Sequence, residues 1–249
     1  MVVLSVNNLK KNYNNTNVLK GINLEIHKGE FLGIMGASGS GKTTLLNILS
    51  GVDKLTSGKI ELLGRDINKL SKNDMTLFRR NHLGFVFQEF NLLDSLTLKE
   101  NIMLPLSLEC KDPEKMEQRT NDIMNMFDIL KVKDKYPYLV SGGQQQRTAI
   151  SRAIINNPDI IFADEPTGNL DSKASNTIMK YFEKLNTLNK NTIIVVTHDP
   201  FTASYCNRIV FIEDGIISSE ITKKGESKKS FFDKILESFK NMGSEDDEF

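Results

Sequence analysis

The sequence predicts an α/β fold with a mainly parallel core sheet, an antiparallel β portion near the N-terminus and an inserted α-helical subdomain. Three observations predict it. Residues 31–35, 160–163 and 193–197 are short apolar runs without alternation, the pattern of strands buried on both faces. An amphipathic helical pattern over 172–188 lies between the last two runs, and strand, helix, strand at these lengths implies a parallel crossover. From Gln88 to Val140 the strand texture gives way to helical spacing, which marks the insertion.

Each element can be justified in order. Residues 2–4 and Val6 alternate loosely as a first strand, and residues 19–26 alternate apolar and polar, a half-exposed strand. A turn at 27–30 leads into the buried run 31–35. A glycine-rich loop follows at 36–41, then a helix from Lys42 to Leu49. Helices are expected over 98–108 and 113–130, where Met116, Ile123, Met124, Phe127 and Leu130 form a packing stripe. After Gly225 a basic stretch precedes Phe231, Phe232, Ile235, Leu236 and Phe239, which share one helical face, and an acidic end follows. The face is read as docked on its own domain, with a partner or membrane-surface contact as the alternative. The expected domains are therefore 1–224, with the helical subdomain at about 88–140, and a C-terminal amphipathic helix with an acidic tail over 225–249.

Bulk properties narrow the class. The 249 residues suffice for one large domain with a subdomain. Lys plus Arg equals Asp plus Glu at 32 each, so the balance argues against a general nucleic-acid binder. Cys110 and Cys206 fit no metal spacing and are read as free thiols of a reducing compartment. The N-terminus has no charged-then-apolar signal layout, and no apolar run is long enough to cross a bilayer. A soluble, cytoplasmic chain is expected, with any membrane role reached through a partner.

The chemistry begins at the glycine-rich loop. Gly36 to Thr43 match G-x-x-x-x-G-K-[ST] between a buried strand and a helix, the context that the pattern requires. Small residues let successive backbone N–H groups curl around phosphate oxygens, and the helix start adds partial positive charge. Lys42 is placed to reach the β- and γ-phosphates, and the Thr43 hydroxyl to ligate Mg²⁺. The nucleotide-binding candidates here are Gly36, Ser38, Gly39, Ser40, Gly41, Lys42, Thr43 and Thr44. The fold expected from this loop is a P-loop NTPase. The run 160–163 then ends in Asp164 and Glu165. At the carboxyl end of a parallel strand, Asp164 would face Mg²⁺, and Glu165 could polarise an attacking water. The pair argues for hydrolysis over mere binding.

A second glycine pair, Ser141-Gly142-Gly143-Gln144, stands before the acidic strand and opens another helix. One nucleotide in one chain has no use for two such cradles. This tetrapeptide resembles the signature of ABC ATPases, and the remaining motifs match that family in order and spacing over about residues 1–220. The resemblance implies a head-to-tail pair of chains around two ATP, with the Ser141 loop of one chain capping the γ-phosphate held by the other. By the same resemblance Tyr13 would stack on adenine, and Gln88 would touch Mg²⁺ and the water. Asp171, in the loop from Asn169, would cross the dimer interface, and His198 would contact the γ-phosphate. His27 and His82 receive no role. Val140 stands where the signature usually has Leu, a departure expected to preserve the fold.

Residues 165–172 resemble the branch that serves macrolide export, lipoprotein release and cell-division permeases. The stretches 84–94, 100–106 and 197–206, with the Phe231-Phe232 tail, are closer to bacterial antimicrobial-peptide transporters of the bacitracin-resistance type. Asn169 departs from that group, which more often has Ala there. The resemblance implies ATP and Mg²⁺ as cofactors and, as partners, a second copy of the chain, an integral membrane permease and, through it, a sensor histidine kinase. It implies a peripheral position on the cytoplasmic face of the membrane and no nucleic acid. The permease is expected to dock near Gln88 to Leu93, on exposed Phe90, Leu92 and Leu93. Lipoprotein release, macrolide export and cell division stay open as alternatives, as does a soluble ABC ATPase without a permease.

Overall fold

A computed structural model of the protein describes residues 1–108 and 112–243. Cys110 and the acidic end at 244–248 lie outside the described residues. In chain order the first elements are β1 (Val2–Tyr13), β2 (Thr16–His27), β3 (Phe31–Met35), α1 (Lys42–Leu49), β4 (Ser57–Leu62), β5 (Arg65–Asp66), α2 (Lys72–His82) and β6 (Leu83–Val86). Next come α3 (Leu98–Ser107), α4 (Pro113–Met126), α5 (Gly142–Ile154), β7 (Ile160–Asp164) and α6 (Ser172–Asn189). The last are β8 (Thr192–Val196), α7 (Pro200–Ala203), β9 (Arg208–Glu213), β10 (Ile216–Thr222) and α8 (Lys228–Gly243). They fall into two units, Met1–Met75 with Thr192–Phe249, and Thr76–Asn191.

The first unit holds an antiparallel sheet in the order β2-β1-β4-β5. Its loose alternation has a cause: Asn8 takes φ 47° and shifts the β1 register between Val6 and Leu9, so both stay buried. β3 and β8, apolar apart from Gly33 and Thr192, are buried at every position. β3 pairs in parallel with both β8 and β9, and β10 returns antiparallel along β9. Asp214 and Gly215 both have positive φ at that hairpin, as a two-residue turn of matching twist demands.

α8 is docked within the first unit. Phe231 and Ile235 are fully buried, and Lys228 sits 3.4 Å from the centroid of the Tyr205 ring. Phe232, Leu236 and Phe239 are half-buried.

In the second unit β6 and β7 run parallel, with Val86 opposite Ala163. A Cβ at Gly84 would stand 2.5 Å from the Ala153 carbonyl oxygen, so β6 lies hard against α5. α3 opens with a Thr97–Glu100 capping box. α4 ends at Met126, short of the Leu130 expected from the sequence. Asp128, at φ 53°, turns the chain out of the helix, and Leu130 falls in a short 3₁₀ turn.

Candidate nucleotide-binding and hydrolysis residues

In the first unit, β3 delivers the chain into the loop at 36–41. A Cβ on Gly36 would stand 2.2 Å from the Ile212 carbonyl oxygen and 2.7 Å from Ser40 Oγ, so no side chain fits there. Gly41 takes φ 101° to start α1, whose first turn has no side-chain cap and no acidic residue. The uncapped amides and dipole of that turn favour an anion. Lys42 is buried, and its Nζ donates to the carbonyls of Gly36 at 2.9 Å and Ala37 at 2.6 Å. The cation is thus held inside the loop. Ser40 Oγ is buried with no hydrogen-bond partner among the described residues, an orphaned hydroxyl that a phosphate oxygen would satisfy. Ser38 and Gly39 are exposed on the same loop, as is Thr43 on α1, and Thr44 is half-buried. These features fit a nucleotide phosphate.

Tyr13, at the end of β1, is 46% exposed, enough ring surface to stack a base. Lys11 Nζ lies 4.4 Å from its centroid, and the Tyr13 hydroxyl donates to Asp53. That hydrogen bond, with burial, raises the Tyr13 hydroxyl pKa. Burial works to raise the Asp53 carboxyl, but the hydrogen bonds from Lys11 and Tyr13 outweigh it and hold it below its ordinary value. His198 is exposed, two residues beyond the end of β8. Asp199 beside it caps α7, accepting from Phe201 N at 3.0 Å, Thr202 N at 3.1 Å and Thr202 Oγ1 at 2.7 Å. The histidine therefore sits on a fixed junction of strand and helix.

In the second unit the parallel pairing of β6 and β7 brings Gln88, Asp164 and Glu165 out at one sheet edge. Asp164 and Glu165 are half-buried. Glu165 has φ 44°, a left-handed conformation that a glutamate seldom adopts. Gln88 is exposed, and its Nε2 donates to Asn169 Oδ1 at 3.3 Å. Asn169 Nδ2 in turn donates to the Gln88 carbonyl at 3.2 Å.

Ser141 and Gln144 form a capping box at the start of α5. The glycines Gly142 and Gly143 fill its first turn. A cleft of about 290 Å³ opens there, lined by Ser141, Gly142, Gly143, Arg147 and Asp171 among others. Asp171 caps α6 through Ala174 N at 2.8 Å.

Of the three apolar residues expected on the surface after Gln88, only Leu93 is exposed, while Phe90 and Leu92 are half-buried. Arg152 draws the loop inward by donating to the carbonyls of Phe90 at 2.9 Å and Asn91 at 2.6 Å. Gln146 was missed by the motif reading: it is fully buried between the loops after β6 and β7. The signal existed, because Gln146 lies three and four residues before Ala149 and Ile150, on the apolar stripe of α5.

Comparison with known proteins identifies the family. Residues 19–168 match the ABC transporter family. The chain is 48% identical over 240 residues to the bacitracin export ATP-binding protein BceA of Halalkalibacterium halodurans, covering 95% of each. It is 42% identical over 232 residues to the macrolide export ATP-binding/permease protein MacB of Syntrophobacter fumaroxidans, covering 91% of this chain and 32% of that one. Its structure is similar to the dimeric post-hydrolysis ATP-binding cassette MJ0796 of Methanocaldococcus jannaschii, bound to ADP and Pi. That match has a TM-score of 0.83 at 40% identity, over 90% of this chain and 100% of the other. The chain is thus a member of the ABC transporter family, an ATP-hydrolysing subunit.

Proposed function

We propose that this ATPase drives a membrane permease that confers resistance to, or senses, cell-wall-active peptide antibiotics such as bacitracin. The reading rests on the end-to-end likeness to a bacitracin export subunit. The chain would sit peripherally on the cytoplasmic face of the membrane, pair with a second copy, and reach a sensor histidine kinase through the permease. Among the described residues no helix is long and apolar enough to cross a membrane, so such a position needs the permease.

In this reading Tyr13 stacks on adenine, and the loop amides from Gly36 to Thr44, with Lys42, hold the phosphates. Thr43 of the first unit, and Asp164 and Gln88 of the second, each offer a hard oxygen donor of the kind Mg²⁺ takes. The ion, when bound, neutralises charge developing on the phosphates. Glu165 orients and polarises the attacking water, and His198 donates to the γ-phosphate. Ser141 and the amides of Gly142 and Gly143 close over the γ-phosphate of the second copy, next to its own Asp171 in the open cleft.

Growth inhibition tests the antibiotic reading. Cells carrying Glu165→Gln are compared with wild type across a panel of cell-wall-active peptides and a macrolide. Selective sensitisation to the peptides is expected. Sensitisation to the macrolide alone would instead favour the branch to which MacB belongs. A division or envelope defect without drug sensitivity would refute the peptide assignment and leave the motor assignment standing.

A further inference from the structure

We propose that Gln146 is a positioning residue for hydrolysis, fixing the backbone on which Glu165 and Gln88 are mounted. The inference rests on the reading of Glu165 as the water-polarising group. Gln146 lies on α5, one turn inside the helix that Ser141 caps, and it is fully buried. Its Nε2 donates to the carbonyl of Pro166 at 2.6 Å and to that of Phe87 at 3.4 Å. Pro166 directly follows Glu165, and Phe87 directly precedes Gln88. One amide nitrogen therefore ties together the two loops that carry the candidate hydrolytic side chains.

Two further observations argue against mere core filling. Gln146 Oε1 is buried with no hydrogen-bond partner among the described residues, so the amide is used through its donors while its acceptor goes unsatisfied. The loops it joins are also strained: Glu165 and Phe90 take positive φ without being glycine, at 44° and 60°. Such conformations persist only where the surroundings over-determine them. α5 supplies the clamps at both ends: Gln146 at the Glu165 side, and Arg152 on the carbonyls of Phe90 and Asn91. Because α5 begins at the cradle for the second copy's nucleotide, a shift of this helix on closure would reach Glu165 through Gln146.

The test uses the full-length chain. Gln146→Met keeps the length and removes the donors. We expect kcat to fall about 10- to 100-fold, the scale of a small misplacement of a reacting group, with KM for ATP changed less than about twofold. Gln146→Asn keeps an amide that is too short to reach Pro166, and should show the same split if Gln146→Met fails to fold. Ser151→Ala removes a different buried hydrogen bond of α5, from Ser151 Oγ to the Arg147 carbonyl at 2.8 Å, and should leave kcat unchanged. Adding Gln146→Met to Glu165→Gln should cost no further rate, since both act on one group. A folded Gln146→Met with normal kcat, or losses that multiply in the double variant, would overturn the inference alone. A Glu165→Gln protein that turns over at full speed would overturn the reading of Glu165 together with it.

Discussion

At the scale of single residues, the phosphate loop was the most legible feature. Its function resides in consecutive backbone amides, so its requirements are written in consecutive residues. Gly36 must lack a side chain because the Ile212 carbonyl leaves no room, and Lys42 must follow Gly41 to open the helix. Gln146 was illegible to motif reading for the converse reason. Its partners, Phe87 and Pro166, are distant in sequence and accept through backbone carbonyls, which any residue supplies. Tyr13 lies between these cases. Its place in the chain suggested a base platform, and the anchoring by Asp53 and Lys11 needed coordinates. Tyr13→Ala should raise KM for ATP by about tenfold, the size of one lost stacking contact, and leave kcat alone. Steady-state ATPase kinetics checks this.

At the scale of elements, strands were readable wherever burial was uniform. β3 and β8 present five apolar or small residues in a row because both faces are covered. β1 was harder, since the left-handed Asn8 breaks its period of two. The apolar face of α8 announced itself by spacing and reads as docked on its own domain. Phe231 and Ile235 turn out to be buried within the first unit. Phe231→Ala should therefore destabilise the protein by about 3–5 kcal/mol, and Ile235→Ala by about 2–5 kcal/mol, as in other cores that cannot collapse around the gap. Denaturant titration measures both. Surface exposure after Gln88 was misjudged because Arg152, sixty-odd residues away, pulls Phe90 and its neighbours inward.

At the scale of the whole molecule, the sequence announced a machine that one copy cannot complete. The Ser141 cradle opens on a cleft that its own chain leaves unfilled by protein. Glu165→Gln should retain ATP binding, lose turnover by on the order of 100-fold or more, and accumulate as a dimer in ATP. Size-exclusion chromatography with and without ATP reads the dimer, and an ADP-loaded sample should stay monomeric.

The left-handed backbone of Glu165 has a consequence for protein engineering. Asparagine is at ease at φ 44°, and glutamate is not. A laboratory selection for heat resistance alone would therefore reward Glu165→Asn, by about 1 kcal/mol, while extinguishing the motor. Selecting variants for ATP turnover as well as for heat resistance should therefore retain Glu165, whose strained backbone a selection on stability alone would relieve.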